Sequence, residues 1–353
     1  MRFLVTGHNG YIGCVLVPML QRAGHEVVGL DCDLFDGCTL GQEMPDVRSI
    51  RMDIRDVRPE HLSGFDGVAH LAGISNDPLG DLRPETTYEI NHLGAVRVAE
   101  AAKAAGVHRF VFSSSCSLYG AHGDTPIDES AAFLPVTPYG ESKVFAERDI
   151  SALADDRFSP VFLRNATAYG VSARLRGDLV VNNLVGYAYT LGQVLMKSDG
   201  SPWRPLVHIE DISRAFLAAL EAPTDAVHLE AFNIGRSQEN YRVREVAEIV
   251  ADVVPNTELA FADGAGPDKR NYRVDCSKAE QGLPGYDPTW TVRQGVEELL
   301  ESYKAHRMDL ESLTGERFQR IKRVQNLMAS DALGEDLRWR NSEVEVEELG
   351  NVS

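Results

Sequence analysis

The sequence predicts an α/β protein: a Rossmann-type doubly wound parallel sheet followed by a smaller C-terminal α/β domain. Three observations carry this. Short β-rich runs alternate with helical stretches through the first half, the pattern of βαβ units. A glycine-spaced turn joins the first strand to the first helix. From about Val171 the rhythm breaks and Gly, Pro, Trp and Asn become frequent. At 353 residues the chain is long enough for two domains.

The elements follow in order. Arg2-Phe3-Leu4-Val5 and Glu26–Leu30 read as buried strands, and Ser49–Met52 as a shorter, weaker one. Gly67–Leu71, Arg109–Phe112 and Val161–Leu163 continue the set, with helices at Ala95–Ala105 and Tyr139–Leu153 between them. Pro18 falls inside the first helix, where a missing backbone donor predicts a kink. Later, the helix at Glu210–Glu221 and the strand Ala231–Ile234 read as returns to the sheet. Val243, Val246, Ala247 and Val250 mark an amphipathic helix, and Thr291–Lys304 the last helix of the compact body. Arg307–Arg340 is helix-prone, and Asn341–Ser353 holds four Glu and no cation, a solvated tail. The expected division is 1–170 with 206–236 for the first domain, 171–205 with 237–304 for the second, and 305–353 as an extension.

Thirty-five Lys plus Arg against 53 Asp plus Glu give a net charge of −18. That balance argues against general binding to nucleic-acid backbone or anionic membrane. It leaves room for an anionic small ligand, which needs only local Arg and backbone N–H groups. No window holds 18 uninterrupted apolar residues, so no membrane span is expected. Cys14, Cys32, Cys38, Cys116 and Cys276 are odd in number and widely spaced, and the start shows no apolar signal core. A soluble, reduced, cytoplasmic chain is expected. Cys32 and Cys38 with Asp33 and Asp36 match no familiar zinc spacing, so no metal is expected.

Thr6-Gly7-His8-Asn9-Gly10-Tyr11-Ile12-Gly13 leaves a strand and opens a helix, with glycines at 7, 10 and 13. Such a turn lets backbone N–H groups approach a pyrophosphate at a helix N-terminus. Asp31 ends the next strand, 18 residues after Gly13. A carboxylate there accepts both ribose hydroxyls and repels a 2′-phosphate, which selects NAD over NADP. No Arg follows it. Asp53-Ile54, after the third strand, is placed to flank the adenine.

Tyr139-Gly140-Glu141-Ser142-Lys143 sets a phenol and an ammonium one turn apart on a helix face. A phenol titrates near 10 and is a poor base at neutral pH. A neighbouring ammonium and an oxidised nicotinamide are expected to lower that value. Upstream, Ser113-Ser114-Ser115 ends a strand, where Ser115 can hold a reacting oxygen while the phenolate takes its proton.

With these motifs together the chain resembles the extended short-chain dehydrogenase/reductase family, in its nucleotide-sugar epimerase/dehydratase branch. The resemblance covers roughly residues 1–304. It rests on T-G-x-x-G-x-x-G at Thr6–Gly13, His70-Leu71-Ala72-Gly73, Asn91 in Ile90–Gly94, Ser113–Gly120, Pro138–Lys143 and Arg204–Asp211. It implies NAD held by Gly7, Gly10, Tyr11, Ile12, Gly13, Asp31, Asp53, Ile54, Leu71, Ala72, Gly73, Asn91, Ser113, Tyr139 and Lys143. It implies Ser115, Tyr139 and Lys143 as the catalytic set, and Asn183 and Arg204 as contacts to a nucleotide diphosphate. Thr167 stands where the family usually has Asn. Ala265 stands where it has a second diphosphate Arg, a charge that Lys269, Arg270 or Arg273 would take over; Arg270 is assigned to the substrate with Ser115 and Thr167.

Dehydratases of this branch resemble one another in carrying acids just after the catalytic Ser or Thr. Here Cys116 and Ser117 stand there, so epimerisation through a transient keto-sugar is the leading expectation. Net dehydrogenation or ketoreduction is the alternative, with a 4,6-dehydratase behind it. A homodimer is expected through helices Asn91–Ala105 and Tyr139–Leu153, with Ala95, Ala99, Ala102 and Ala105 allowing close approach.

Overall fold

The computed structural model describes all residues except 42–43, 76, 267–270 and 341–353. The proposed acidic tail and Arg270 lie outside the described residues. Strands β1 (Arg2–Thr6), β2 (Glu26–Asp31), β3 (Ser49–Arg51), β4 (Gly67–His70) and β5 (Arg109–Ser115) come first, and β6 (Ala121–Ile127) follows. Then come β7 (Ser159–Asn165), β8 (Thr167–Tyr169), β9 (Gln193–Ser198), β10 (Trp203–His208) and β11 (Ala231–Ile234). The last three are β12 (Asn240–Arg242), β13 (Glu258–Gly266) and β14 (Asn271–Val274).

Seven strands form the main sheet in the order β11-β7-β5-β4-β1-β2-β3, and every pairing in it is parallel. The expected doubly wound sheet is therefore observed. Chain direction along the sheet reverses between β1 and β4, which opens a crevice at their carboxyl ends. The sequence explains why these runs are strands. Phe3, Leu4 and Val5, and likewise Phe110, Val111 and Phe112, are buried on both faces, as strands of a covered parallel sheet must be. One face packs against helices Ala95–Ala104 and Pro138–Ser151, the other against Gly13–Arg22 and Ile209–Glu221. Pro18 sits inside the Gly13–Arg22 helix without ending it.

A second core joins helices Val180–Leu191, Val243–Val253 and Val292–Ala305 around Val185, Val250 and Leu299. Smaller sheets β12-β10-β8, β13-β9 and β14-β6 link it to the main body.

Two expectations need correction. Ala95, Ala99 and Ala102 are fully buried inside the chain, so they pack the helix onto its own sheet and offer no surface to a partner. The chain beyond residue 304 is not outside the compact body: Leu313 and Phe318 enter the second core, and Val324 and Leu337 the first. Its apolar residues are widely spaced among charges, which hides an inward face from a periodicity argument.

Candidate active site

The phosphate loop is shaped by contact. Gly7 has φ +73°, and a Cβ there would stand 2.8 Å from the Ala72 nitrogen. At Gly13 a Cβ would meet the His8 and Gly7 carbonyl oxygens at 2.4 and 2.5 Å. Only glycine fits, and the loop thereby lies flat against the chain that follows β4. Gly10 donates its N–H to the Gly7 carbonyl, while the Tyr11 and Ile12 N–H groups have no acceptor among the described residues. These open donors at a helix start suit a pyrophosphate.

Asp31 ends β2 at the crevice and accepts the Asn9 and Asp33 backbone N–H groups at 3.1 and 3.0 Å. Burial pushes its carboxyl up, opposed by the facing His8. Asp53 lies one strand further. Burial also acts on it, but hydrogen bonds from Arg55, at 2.7 to 3.2 Å, prevail and hold its carboxyl below the usual range. Leu71 donates its N–H to the Thr6 carbonyl, so β1 and the chain after β4 stay in register at the crevice floor. Ile54 packs under Gly94. The residues expected to hold NAD thus gather along one edge of the sheet, and their open donors and two acids, Asp31 and Asp53, fit it.

Two expected cofactor residues, Asn91 and Ser113, are engaged in building that edge. Asn91 accepts the Ile74 N–H and donates to its carbonyl, at 2.7 and 2.8 Å, bracing the turn at Gly73. Its amide also reaches Ser142 on the catalytic helix at 3.3 Å. Ser113 accepts the Asn165 amide through its hydroxyl and the Lys143 ammonium through its carbonyl.

Tyr139 and Lys143 lie on the Pro138–Ser151 helix, which Pro138 starts and Thr137 caps through the Gly140 N–H. Lys143 is buried, 2.8 Å from the Ser113 carbonyl and 4.7 Å from the centre of the Phe112 ring. Its nitrogen stands 5.9 Å from the Tyr139 ring centre. Desolvation lowers the lysine to about 8 against the pull of Glu147. Glu147 is itself buried, bonded to Arg164 and Ser114, and Arg164 continues to Tyr119 and Asn233. A fully paired polar network therefore underlies the catalytic helix.

The expected lowering of the phenol is not what the protein alone does. Desolvation raises Tyr139, and the hydrogen bond with Ser115 and the charge of Arg176 only oppose it; Asp77 and Cys116 add to the rise.

Substrate-side expectations divide. Thr167 lies on β8 and Arg204 is buried on β10, its guanidinium 2.7 Å from the Trp203 carbonyl. Arg273 on β14 comes beside them, its guanidinium 4.5 Å from the Trp203 ring centre. Asn183 turns its amide to the Gly177 carbonyl at 2.8 Å, which supports the preceding loop.

Sequence reasoning missed Asn182, Arg174 and Arg176. Asn182 accepts the Gly170 N–H and donates to the Tyr11 hydroxyl, tying the second core to the phosphate loop. Arg174 donates to the carbonyls of Asn9 and Phe35. Arg176 joins Asp178 and, at 2.9 Å, Ser75. The Arg-x-Arg spacing after Gly170 was the available signal. Among the described residues no His, Cys, Asp and Glu cluster could hold a metal, and no helix is long and apolar enough to cross a membrane. All five cysteines are free.

A phosphate loop, a strand-end acid and a Ser–Tyr–Lys set on one sheet edge define a short-chain dehydrogenase/reductase. The profile of the NAD dependent epimerase/dehydratase family matches residues 3–235. UDP-glucose 4-epimerase of Streptomyces lividans is 31% identical over 86% of this chain and 97% of its own. That of Corynebacterium glutamicum is 30% identical over 82% and 92%. The solved structure of MoeE5 in complex with UDP-glucuronic acid and NAD superposes with a TM-score of 0.75 at 28% identity, covering 86% of this chain and 99% of that one. The chain belongs to the NAD dependent epimerase/dehydratase family, as an NAD-dependent enzyme of the epimerase type on the UDP-glucose 4-epimerase-like branch.

Proposed function

We propose that the enzyme inverts one carbon of a nucleotide-diphosphate sugar through transient oxidation to a keto-sugar. The observation that carries this is the Pro138–Ser151 helix set against the end of β5, with Lys143 anchored on the Ser113 carbonyl at 2.8 Å beside Tyr139 and Cys116 fully buried against the Arg164 carbonyl. No acid occupies positions 116 and 117, so nothing there eliminates water. Ser115 holds the sugar hydroxyl, and Tyr139, as phenolate, takes its proton. Lys143 supplies positive charge beneath the phenol from its anchor on Ser113. Bound NAD supplies a reversible hydride acceptor. Tyr139 returns the proton after the ketone has turned. Arg204 and Arg273 fit a diphosphate, as guanidinium groups do best; the UDP-sugar relatives support this ligand class.

Residues 1–170 with 206–236 serve the cofactor in this reading, and 171–205 with 237–304 the sugar. A homodimer through helices Asn91–Ala105 and Tyr139–Leu153 belongs to this reading, with Leu93, 57% exposed, as an apolar contact on the first of them, and sedimentation at micromolar concentration tests it. For the reaction, the test is incubation with UDP-, GDP-, CDP- and dTDP-sugars, read by NMR. A new epimer formed without added NAD supports the proposal; stoichiometric NADH or loss of water from the sugar refutes it.

A further inference from the structure

The chain from Asp309 to Arg340 meets the segments that follow β2 and β3, and its polar contacts with the body also reach Arg83 and residues 174–177. Arg317 donates to the Thr39 carbonyl at 2.8 Å and Arg323 to that of Asp36 at 3.2 Å. Arg320 donates to the Arg174 carbonyl at 3.1 Å and lies 3.9 Å from the centre of the Phe35 ring. Phe318 accepts the Gly177 N–H. Glu335 meets Arg83 at 3.3 Å. At the far end, Arg55 donates to the Asp336 carbonyl, Arg338 pairs with Asp56, and the Trp339 indole N–H reaches the Cys32 carbonyl at 2.6 Å.

These places are not scattered. Cys32 adjoins Asp31, the strand-end acid that the NAD reading sets toward the ribose. Asp53 and its partner Arg55 mark the adenine end, and Arg338 stands 3.9 Å from Asp53. Arg174 spans from the phosphate loop to Phe35. The segment is anchored by Leu313 and Phe318 in the second core and by Val324 and Leu337 in the first, and Arg338 and Trp339 add polar contacts just beyond Leu337. A relative matched over 97% of its own length accounts for only 86% of this chain, so the shared reaction does not call for all of it.

We propose that residues 309–340 form the outer wall of the adenosine half of the NAD site, with Arg338 and Trp339 as its latch. The latch keeps one NAD bound through many turnovers. This deepens the epimerase reading, in which hydride is borrowed and returned and exchange of the cofactor serves no purpose.

The test uses the full chain with NAD bound, and follows its replacement by excess fluorescent etheno-NAD. Trp339→Ala and Arg338→Ala, singly and together, are expected to release NAD at least tenfold faster than the unaltered protein. Release at the unaltered rate in the point variants overturns the latch while leaving the epimerase reading intact. If the unaltered protein binds no NAD, both fall together.

Discussion

Lys143→Met isolates the consequence of burying an ammonium beside the Tyr139 phenol. Lys143 is 6% exposed and its ammonium is lowered to about 8, chiefly by desolvation. An unfolded lysine titrates near 10.4. A base depressed in the folded state destabilises it below the folded value, where both states hold the proton. The penalty fades as pH rises from about 8 toward 10.4, because the folded chain then binds fewer protons than the unfolded one. The penalty is about 3 kcal/mol at pH 7 and about 1 kcal/mol at pH 9.5. The unaltered protein should therefore gain about 2 kcal/mol over Lys143→Met between those pH values. The lost bond to the Ser113 carbonyl shifts the whole curve of the variant and leaves this slope untouched. Urea unfolding of the NAD-free proteins across that range reads it directly. Parallel stability curves would refute the argument.

Other outcomes follow from named contacts. Tyr139→Phe should lower kcat by at least about a hundredfold while bound NAD is retained, read by turnover and by extraction of the cofactor. Gly13→Ala, with a Cβ 2.4 Å from the His8 carbonyl, should lose NAD from the purified protein, checked by absorbance. Asn182→Ala strips partners from Gly170 and Tyr11 and should cost about 1–3 kcal/mol in urea unfolding. Leu313→Ala empties space against Gly186 in the second core and should cost about 2–5 kcal/mol in the same assay.

The sheet was legible because its strands are short runs buried on both faces and its turns carry glycine for steric reasons. Gly7 and Gly13 show this, since each faces backbone atoms that exclude a side chain. The Tyr139–Lys143 spacing likewise placed both groups on one helix. Less legible was the Val180–Leu191 helix, which is apolar around most of its surface and so shows little one-sided pattern. Asn182 within it acts across a long separation, on Gly170 and Tyr11, which no local spacing reveals. The chain after Ala305 hid its inward face, because Leu313, Phe318, Val324 and Leu337 stand apart among charges and meet two different cores. The direction of the Tyr139 phenol depends on burial, and burial is a property of the folded crevice.

The central claim is that hydride leaves and rejoins the same sugar carbon within one closed site. A nucleotide sugar carrying deuterium at the carbon to be inverted tests it most directly, by mass spectrometry and NMR of the product. The account predicts an inverted product that keeps its deuterium, with no hydrogen taken from water at that carbon. Inversion with the label washed out to solvent would contradict it.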